Sequence, residues 1–407
     1  MKDYEIVIGD CLESLKKMDD CSVQSVITSP PYWGLRDYGE DGQVGLEGTP
    51  KEYVDKMVEI FREVRRVLRD DGTLWLNLGD SYISAKSDYM PTQTLAKGNK
   101  RDYIQKDSGY GYPPNRRSQQ GLKSKDLVGI PWRVALALQA DGWWLRQDII
   151  WSKPNCMPES VKDRCTNSHE YIFLLTKNKK YYYDNEAIKE PIVTVANRVG
   201  GNQRDTRLTS HAGAVSSGSG GNSGINQAKK KIREQLEKGL TPMKNKRSVW
   251  TIKPMPFKGA HFAVFPEELV ETCLLASTSE YGACGKCMKP YHRLIEKSGG
   301  VPSTESERGF EWNSMKGQWK TDKSTEVGGA TTKTVGWGVD CECADDIKKC
   351  VVLDPFGGSG TTAVSALKHG RKAILLELNP EYAKIAEDRI NNFKTEVGLD
   401  KQEVDWL

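Results

Sequence analysis

The chain has 407 residues and a formal net charge of +4, and 37% of its residues are hydrophobic. That length suits one large domain with insertions or two modest ones, and a mean hydropathy of −0.60 leaves much of it as loop and polar surface. No apolar run reaches membrane-spanning length and "MKDYEIVIGD" lacks a secretory layout, so a cytoplasmic location without a membrane partner is expected, and the ten cysteines are not read as disulfides.

"YEIVIGD" reads as a strand ending at Gly9-Asp10, "CLESLKKM" as a short helical turn and "SVQSVIT" as the next strand. In "EYVDKMVEIFREVRRVLRDDG", Val54, Met57, Val58, Phe61, Val64 and Leu68 recur at the spacing of one helical face, with Gly72 closing the helix. "TLWLNLGD" is a strand again. This alternation predicts an α/β fold, a mostly parallel sheet with helices on its faces. The polar stretch 81–125 interrupts it, with Lys97, Lys100, Arg101, Arg116, Arg117, Lys123 and Lys125 interleaved with Tyr89, Tyr103, Tyr110 and Tyr112.

The pattern resumes with a helix, "IPWRVALALQADG", and two strands, "WLRQDIIWSKP" and "EYIFLLTK". A second irregular region, 184–253, carries the Gly/Ser tract "AGAVSSGSGGNSG" and the basic "KKKIR". A capped-looking helix, "FPEELVETCLLAS", a cysteine-bearing insert and a last βαβα unit from Val351 to Phe393 follow; there is no internal repeat. A solvated linker would explain either irregular region alone. Two basic excursions on one α/β core favour nucleic-acid contact.

"CVVLDPFGGSGTTAVSALKHG" is a strand, a tight glycine-rich turn and a helix. Its glycines permit positive φ and close approach of a ligand to the backbone. Gly360-Thr361-Thr362 lacks the lysine of a phosphate-binding loop, and the dinucleotide pattern of glycines is absent. Asp354 at the strand end would repel a pyrophosphate but suits an ammonium or sulfonium. Glu377, ending the next strand, stands where an acid accepts from ribose hydroxyls. A cationic, ribose-bearing ligand without phosphate describes S-adenosylmethionine.

The stretch "VITSPPYWGLRDYG" ends a buried-looking strand in two adjacent prolines, a poor continuation of any strand. "TSPPYW" followed by "LDPFGGSGTT" resembles the DNA amino-methyltransferases of the beta arrangement, in which the catalytic tetrapeptide precedes the recognition region and the cofactor loop comes last. The resemblance spans residues 10–80, 127–184, "HFAVFPEELV" and 351–392. It implies a doubly wound, Rossmann-like methyltransferase fold acting on double-stranded DNA. It implies a cofactor site built from Asp10, Cys11, Asp354, Pro355, Phe356, Gly357, Gly358, Gly360, Thr361, Thr362 and Glu377, with "IGDC" near the adenine and "HFAVFP" flanking the loop. The catalytic set is then Ser29, Pro30, Pro31 and Tyr32.

In that setting the prolines have a purpose. An exocyclic amine is a poor nucleophile because its lone pair is delocalised into the ring, and the base must leave the duplex to react. Ser29 Oγ and the Pro30 carbonyl can accept the amine's two N–H bonds and draw the nitrogen toward tetrahedral geometry. Rigid prolines hold the acceptors in place, and Tyr32 can stack on the base for about 1–3 kcal/mol. Trp33 either stacks as well or packs under the loop. Ser-Pro-Pro-Tyr is associated in the family mostly with cytosine N4, Asp-Pro-Pro-Tyr with adenine N6; cytosine N4 is the expected target. Adenine N6 is one alternative, and a silent DNA-binding protein the other.

Cys284 and Cys287 form "CGKC", and Cys341 and Cys343 form "CEC" shortly before the cofactor strand. Two thiolate pairs fit a structural tetrahedral zinc site clipping the polar loop between them, with Cys350 as an alternative ligand. Cys11, Cys21, Cys156, Cys165 and Cys273 read as core or loop residues. The expected organisation is a catalytic half, 1–183, with the basic insertion 81–125; a target-recognition region, 184–255; and a cofactor-binding half, 256–407, with a zinc-binding insert, 281–345. A separate cognate restriction endonuclease and the oligomeric state are left open.

Overall fold

The structure, a computed structural model, describes residues 3–35, 39–83, 121–191, 241, 243–254, 265–298, 312–313, 318–319, 331–343 and 346–397. Most of the 81–125 and 184–253 regions, with their tyrosines, lysines and glycine tract, lies outside the described residues, as does "HFAV" of "HFAVFP".

Eight strands form the main sheet: β1 (Tyr4–Ile8), β2 (Val23–Thr28), β3 (Leu68–Leu78), β4 (Trp144–Ser152), β5 (His169–Thr176), β6 (Val249–Thr251), β7 (Val351–Asp354) and β8 (Lys372–Glu377). Their order is β1-β8-β7-β2-β3-β5-β4-β6. The pairings from β1 through β3 are all parallel, β5 runs antiparallel to β3 and β4, and β6 is parallel to β4. β2 sits in the middle with all six residues buried, which is why its sequence shows no alternation: both faces are covered.

Six described helices flank the sheet: α1 (Cys11–Lys16), α2 (Pro50–Val67), α3 (Ile130–Ala140), α4 (Glu267–Ser277), α5 (Thr361–Lys368) and α6 (Pro380–Glu396). The first three pack together in one layer and the last three in another. None of the described helices is long and apolar enough to cross a membrane.

Two expectations need correction. The second helix stops at Val67, not near Gly72, because Leu68 turns extended and β3 begins at once. Gly72 instead allows close approach: a Cβ there would stand 2.6 Å from Leu68 Cδ1 and 2.8 Å from the Gln24 carbonyl oxygen. The helix starts earlier too, at a Thr49–Glu52 capping box with Pro50 behind it. Its buried face adds Tyr53, Ile60 and Val67, while Val54 and Val58 are only half-buried. The helix read as capped, α4, has Pro266 at its N-cap and no side-chain cap hydrogen bond; Glu267 and Glu268 in its first turn complement the helix dipole instead.

The chain divides into two compact units. The first, 1–187 with 247–291 and 339–407, contains the main sheet and every residue of the site below. The second, 188–246 with 292–338, contains the antiparallel pair His292–Ser298 and Thr331–Gly338, with Arg293 4.6 Å over the Trp337 ring, and the short pair Glu190–Pro191 and Met243–Lys244.

Candidate active site

From β2 the chain passes through α2 to β3 on one side, and from β7 through α5 to β8 on the other. The loops leaving β2 and β7 therefore diverge at adjacent strand ends, the place where a doubly wound sheet opens a crevice for ligands. The predicted tetrapeptide leaves β2, and the predicted glycine loop leaves β7.

Asp354 ties the two together. Its carboxylate is 1% exposed. It accepts from Thr28 Oγ1 at 2.6 Å, from the Phe356 N–H at 3.1 Å and from Thr362 Oγ1 at 2.7 Å. These bonds occupy three of its roughly four acceptor positions. Burial pushes its pKa up to about 7, against the opposing pull of those donors. Pro355 is buried and Phe356 half-buried behind it.

In the glycine loop, the Gly357 N–H donates to the Leu376 carbonyl at 2.8 Å and the Gly358 N–H to Glu377 Oε2 at 2.6 Å. Gly360 adopts φ +79° at the start of α5, where a Cβ would meet Ala386 Cβ at 2.8 Å; only glycine lets α6 pass so close. Thr361 and Thr362 are buried just inside the helix. Arg389 of α6 clamps the loop from below, donating to Ser359 O at 2.6 Å, Ser359 Oγ at 2.9 Å and Thr361 Oγ1 at 3.1 Å.

Glu377 also accepts from the Asn379 N–H at 2.9 Å through Oε1, and burial raises its pKa. The Gly9 N–H donates to the Glu377 carbonyl at 2.8 Å, bringing "IGDC" to the same edge of the crevice. There Asp10 caps α1, accepting from the Glu13 N–H at 2.9 Å. Cys11 is buried, and its thiol is pushed up to about 12 by that burial, which makes it unreactive.

The Ser29–Tyr32 loop is held by residues of α2, β3 and β5. Tyr53 donates to the Pro31 carbonyl at 3.0 Å, and Trp33 donates to the Glu47 carbonyl at 2.9 Å. Trp33 is 1% exposed and packs under the loop, which decides between its two readings. Tyr32 Oη receives Ser29 Oγ–H at 3.3 Å and donates to Glu170 Oε2 at 2.8 Å, with Asn77 Oδ1 at 3.2 Å as its other acceptor. Glu170 Oε1 accepts from Lys153 Nζ, which sits 4.3 Å over the Trp151 ring. Gly79 lies against Tyr32: a Cβ there would stand 2.6 Å from its Cε2. Among the described residues no donor engages the Pro30 carbonyl.

Asn77, Lys153, Glu170 and Arg389 escaped the sequence reading. The local signal was slight: a charged residue opens the apolar strand "EYIFLLTK" and another ends "DIIWSK". Only the antiparallel register, with Trp151 opposite Glu170, brings Lys153 and Glu170 together.

Further along, the sulfurs of Cys284, Cys287, Cys341 and Cys343 all lie within 4.8 Å of one another. The N–H groups of Cys287 and Lys286 draw the Cys284 thiol below its ordinary pKa. Cys350 lies outside this cluster, buried, with its thiol directed at the Ser279 carbonyl at 3.9 Å.

The N6_N4_Mtase family model, described as DNA methylase, matches residues 23–284 and 347–388. The chain is 37% identical over 390 residues to the type II methyltransferase M.SmaI of Serratia marcescens, covering 96% of this chain and 91% of that one. It is 36% identical over 389 residues to the type II methyltransferase M.Cfr9I of Citrobacter freundii, covering 96% and 88% respectively. A solved structure, the PvuII DNA methyltransferase described as cytosine-N4-specific, aligns over 98% of this chain and 95% of its own at 16% identity, with a TM-score of 0.45. The chain belongs to this DNA methylase family.

Proposed function

We propose that this chain methylates the exocyclic N4 of cytosine in double-stranded DNA, on a base flipped out of the duplex, with S-adenosylmethionine as methyl donor. The observation that carries the reading is the Thr28–Asp354–Thr362 tie, which joins the Ser29–Tyr32 loop and the glycine loop at the switch point of the sheet. Asp354 and Glu377 place two carboxyl groups beside that crevice, which suits a cationic, ribose-bearing ligand, and the glycine loop offers backbone rather than lysine. Asp10 and Cys11 line the same edge. Bound there, S-adenosylmethionine supplies a methyl group on a positively charged sulfur.

The chain's own residues do the rest. Ser29 Oγ and the Pro30 carbonyl accept the two amine N–H bonds, and the proline ring geometry keeps both acceptors aimed without further loss of entropy. The Tyr32 ring supports the flipped base by stacking. Serine at the first position favours cytosine N4 through the family association. Adenine N6 methylation and a silent DNA-binding role are the competing readings. The type II names of the relatives support a place beside a separate cognate endonuclease in a cytoplasmic setting, and region 184–255 is assigned to target recognition.

The four clustered thiols are proposed to hold a structural zinc ion. With zinc–sulfur bonds of about 2.3 Å, tetrahedral sulfurs stand about 3.8 Å apart, which fits within the 4.8 Å that bounds the four sulfurs. The cysteine pairs sit at the exit to and return from residues 292–338, so the ion would fasten the base of that excursion. A closed tetrathiolate leaves no position for catalytic water. Native mass spectrometry finding one zinc per chain, lost in a Cys284→Ser/Cys341→Ser variant, would bear this out; a metal-free native chain would refute it.

The test of the function is nucleoside mass spectrometry on DNA from cells expressing the chain, with Ser29→Ala as control. N4-methylcytosine found only with the intact chain supports the full reading. N6-methyladenine overturns the base assignment, and neither product, with cofactor bound, favours the silent reading.

A further inference from the structure

Resting on the methyltransfer reading above, we propose that Glu170, charge-balanced by Lys153, fixes Ser29 as a hydrogen-bond acceptor by setting the direction of a Ser29→Tyr32→Glu170 chain. Glu170 is a positioning residue in this scheme, acting through two hydroxyls on the target amine.

The argument is a proton count. A phenol has one proton to give, and Tyr32 Oη has two acceptors in reach: Glu170 Oε2 at 2.8 Å and Asn77 Oδ1 at 3.2 Å. The shorter bond to an ionised acceptor is the stronger. Asn77 supports that choice, since its Nδ2 donates to the same Glu170 oxygen at 3.2 Å and to the Tyr171 carbonyl at 3.1 Å. Having spent its proton, Tyr32 Oη can only accept from Ser29, which lies 3.3 Å away. Ser29 thereby spends its own single proton and has only lone pairs left for the amine. Burial and the Glu170 charge raise the Tyr32 pKa well above its ordinary value, so the phenol keeps the proton this chain needs.

Direction matters for the chemistry. With the chain reversed, Ser29 would donate to the amine and engage the lone pair that must attack the methyl carbon. With the observed direction it accepts an N–H and leaves that pair free. Lys153 makes the arrangement sustainable: its side chain is 20% exposed and that of Glu170 16%, so neither charge would rest there alone.

The experiment is a double-variant cycle of Tyr32→Phe and Glu170→Gln, with steady-state transfer of labelled methyl to DNA. Each single variant is expected to lower kcat by about 10- to 100-fold, with KM for cofactor and DNA within about threefold of the parent. The double variant should fall no more than about threefold below the worse single. Multiplicative losses, or losses confined to KM for DNA, would overturn the relay. Should Glu170→Gln fail to fold, as judged by melting and cofactor binding, a Tyr32→Phe/Glu170→Asp cycle asks the same question, since the shorter carboxylate keeps its charge but withdraws from Tyr32 Oη. No transfer by the parent chain would instead overturn the functional reading, so the two failures are distinguishable.

Discussion

The glycine loop and the Ser29–Tyr32 loop leave neighbouring strands, yet they are built in opposite ways. The glycine loop is held by its own continuation: Leu376 and Glu377 of β8, and Arg389 and Ala386 of α6. Ser29–Tyr32 is held by Tyr53 of α2, Asn77 of β3 and Glu170 of β5, the last paired with Lys153 just past β4. The first is held chiefly within one stretch of chain, residues 354–389, with Thr28 and Ile27 of β2 as its bonds to a distant element. The second becomes an active site only when distant strands pair in the right register. The Ser29–Tyr32 loop is thus anchored by side chains from distant elements, and the glycine loop by residues of the segment that follows it.

The harshest way to break this contrast is Asp354→Ala, because Asp354 belongs to both loops. Its loss strands the buried Thr28 hydroxyl, an unsatisfied group worth about 1–3 kcal/mol, and leaves Thr362 Oγ1 only the Ile27 carbonyl at 3.5 Å. Cofactor affinity is expected to fall at least about 100-fold by calorimetry, with DNA affinity held within about threefold.

Two glycine variants then separate the loops. Gly79→Ala drives a Cβ into the Tyr32 ring and should lower kcat by about tenfold to 100-fold while sparing cofactor binding. Gly360→Ala meets Ala386 and keeps an unfavourable φ, so about 1–3 kcal/mol of stability and the cofactor affinity should go together. The opposite pairing of effects would show that the loops are not independent.

Acidity sharpens the comparison further. Asp354 has an ordinary value of 3.8 when unfolded and about 7 when folded, so between those values the folded chain binds more protons than the unfolded one. Stability contributed by this group is therefore present at low pH, declines as pH rises from about 4 to about 7, and is flat above that. Asp354→Asn should remove the decline, so its stability relative to the parent should rise across that window by on the order of a few kcal/mol. Denaturant melts at pH 5 and pH 8 measure it; a constant difference would show that the three donors fully offset burial.

The smallest effect is expected at the cysteine cluster, which belongs to neither loop. Chelation should lower the melting temperature by a few degrees, about 2–6 °C. Turnover of the remaining folded protein should be unchanged.

How much of this was legible beforehand follows the same division. The α/β alternation could be read because each element carries its own periodicity, while the central β2 mixes Val23, Val26 and Ile27 with buried Gln24, Ser25 and Thr28. Asp354, Glu377 and the glycines were visible because a βαβ unit compresses its ligands into one stretch. The end of α2 was misread because Gly72 resembles a helix stop, whereas its real constraint is the approach of Leu68 and Gln24, a packing fact. Trp33 was undecidable for the same reason: its burial and its bond to Glu47 depend on how the next loop folds back.

What the sequence determined by itself is the chemistry on offer: a rigid acceptor loop, an acid-flanked glycine turn and two thiol pairs, all local patterns set by residue type and short spacing. What only the tertiary structure decided is direction and partnership. Asp354 spans two loops, and Glu170 with Lys153 orders the protons of Tyr32 and Ser29. Those contacts arise from strand order and register, and no local pattern encodes which buried charge will face which hydroxyl once the sheet has closed.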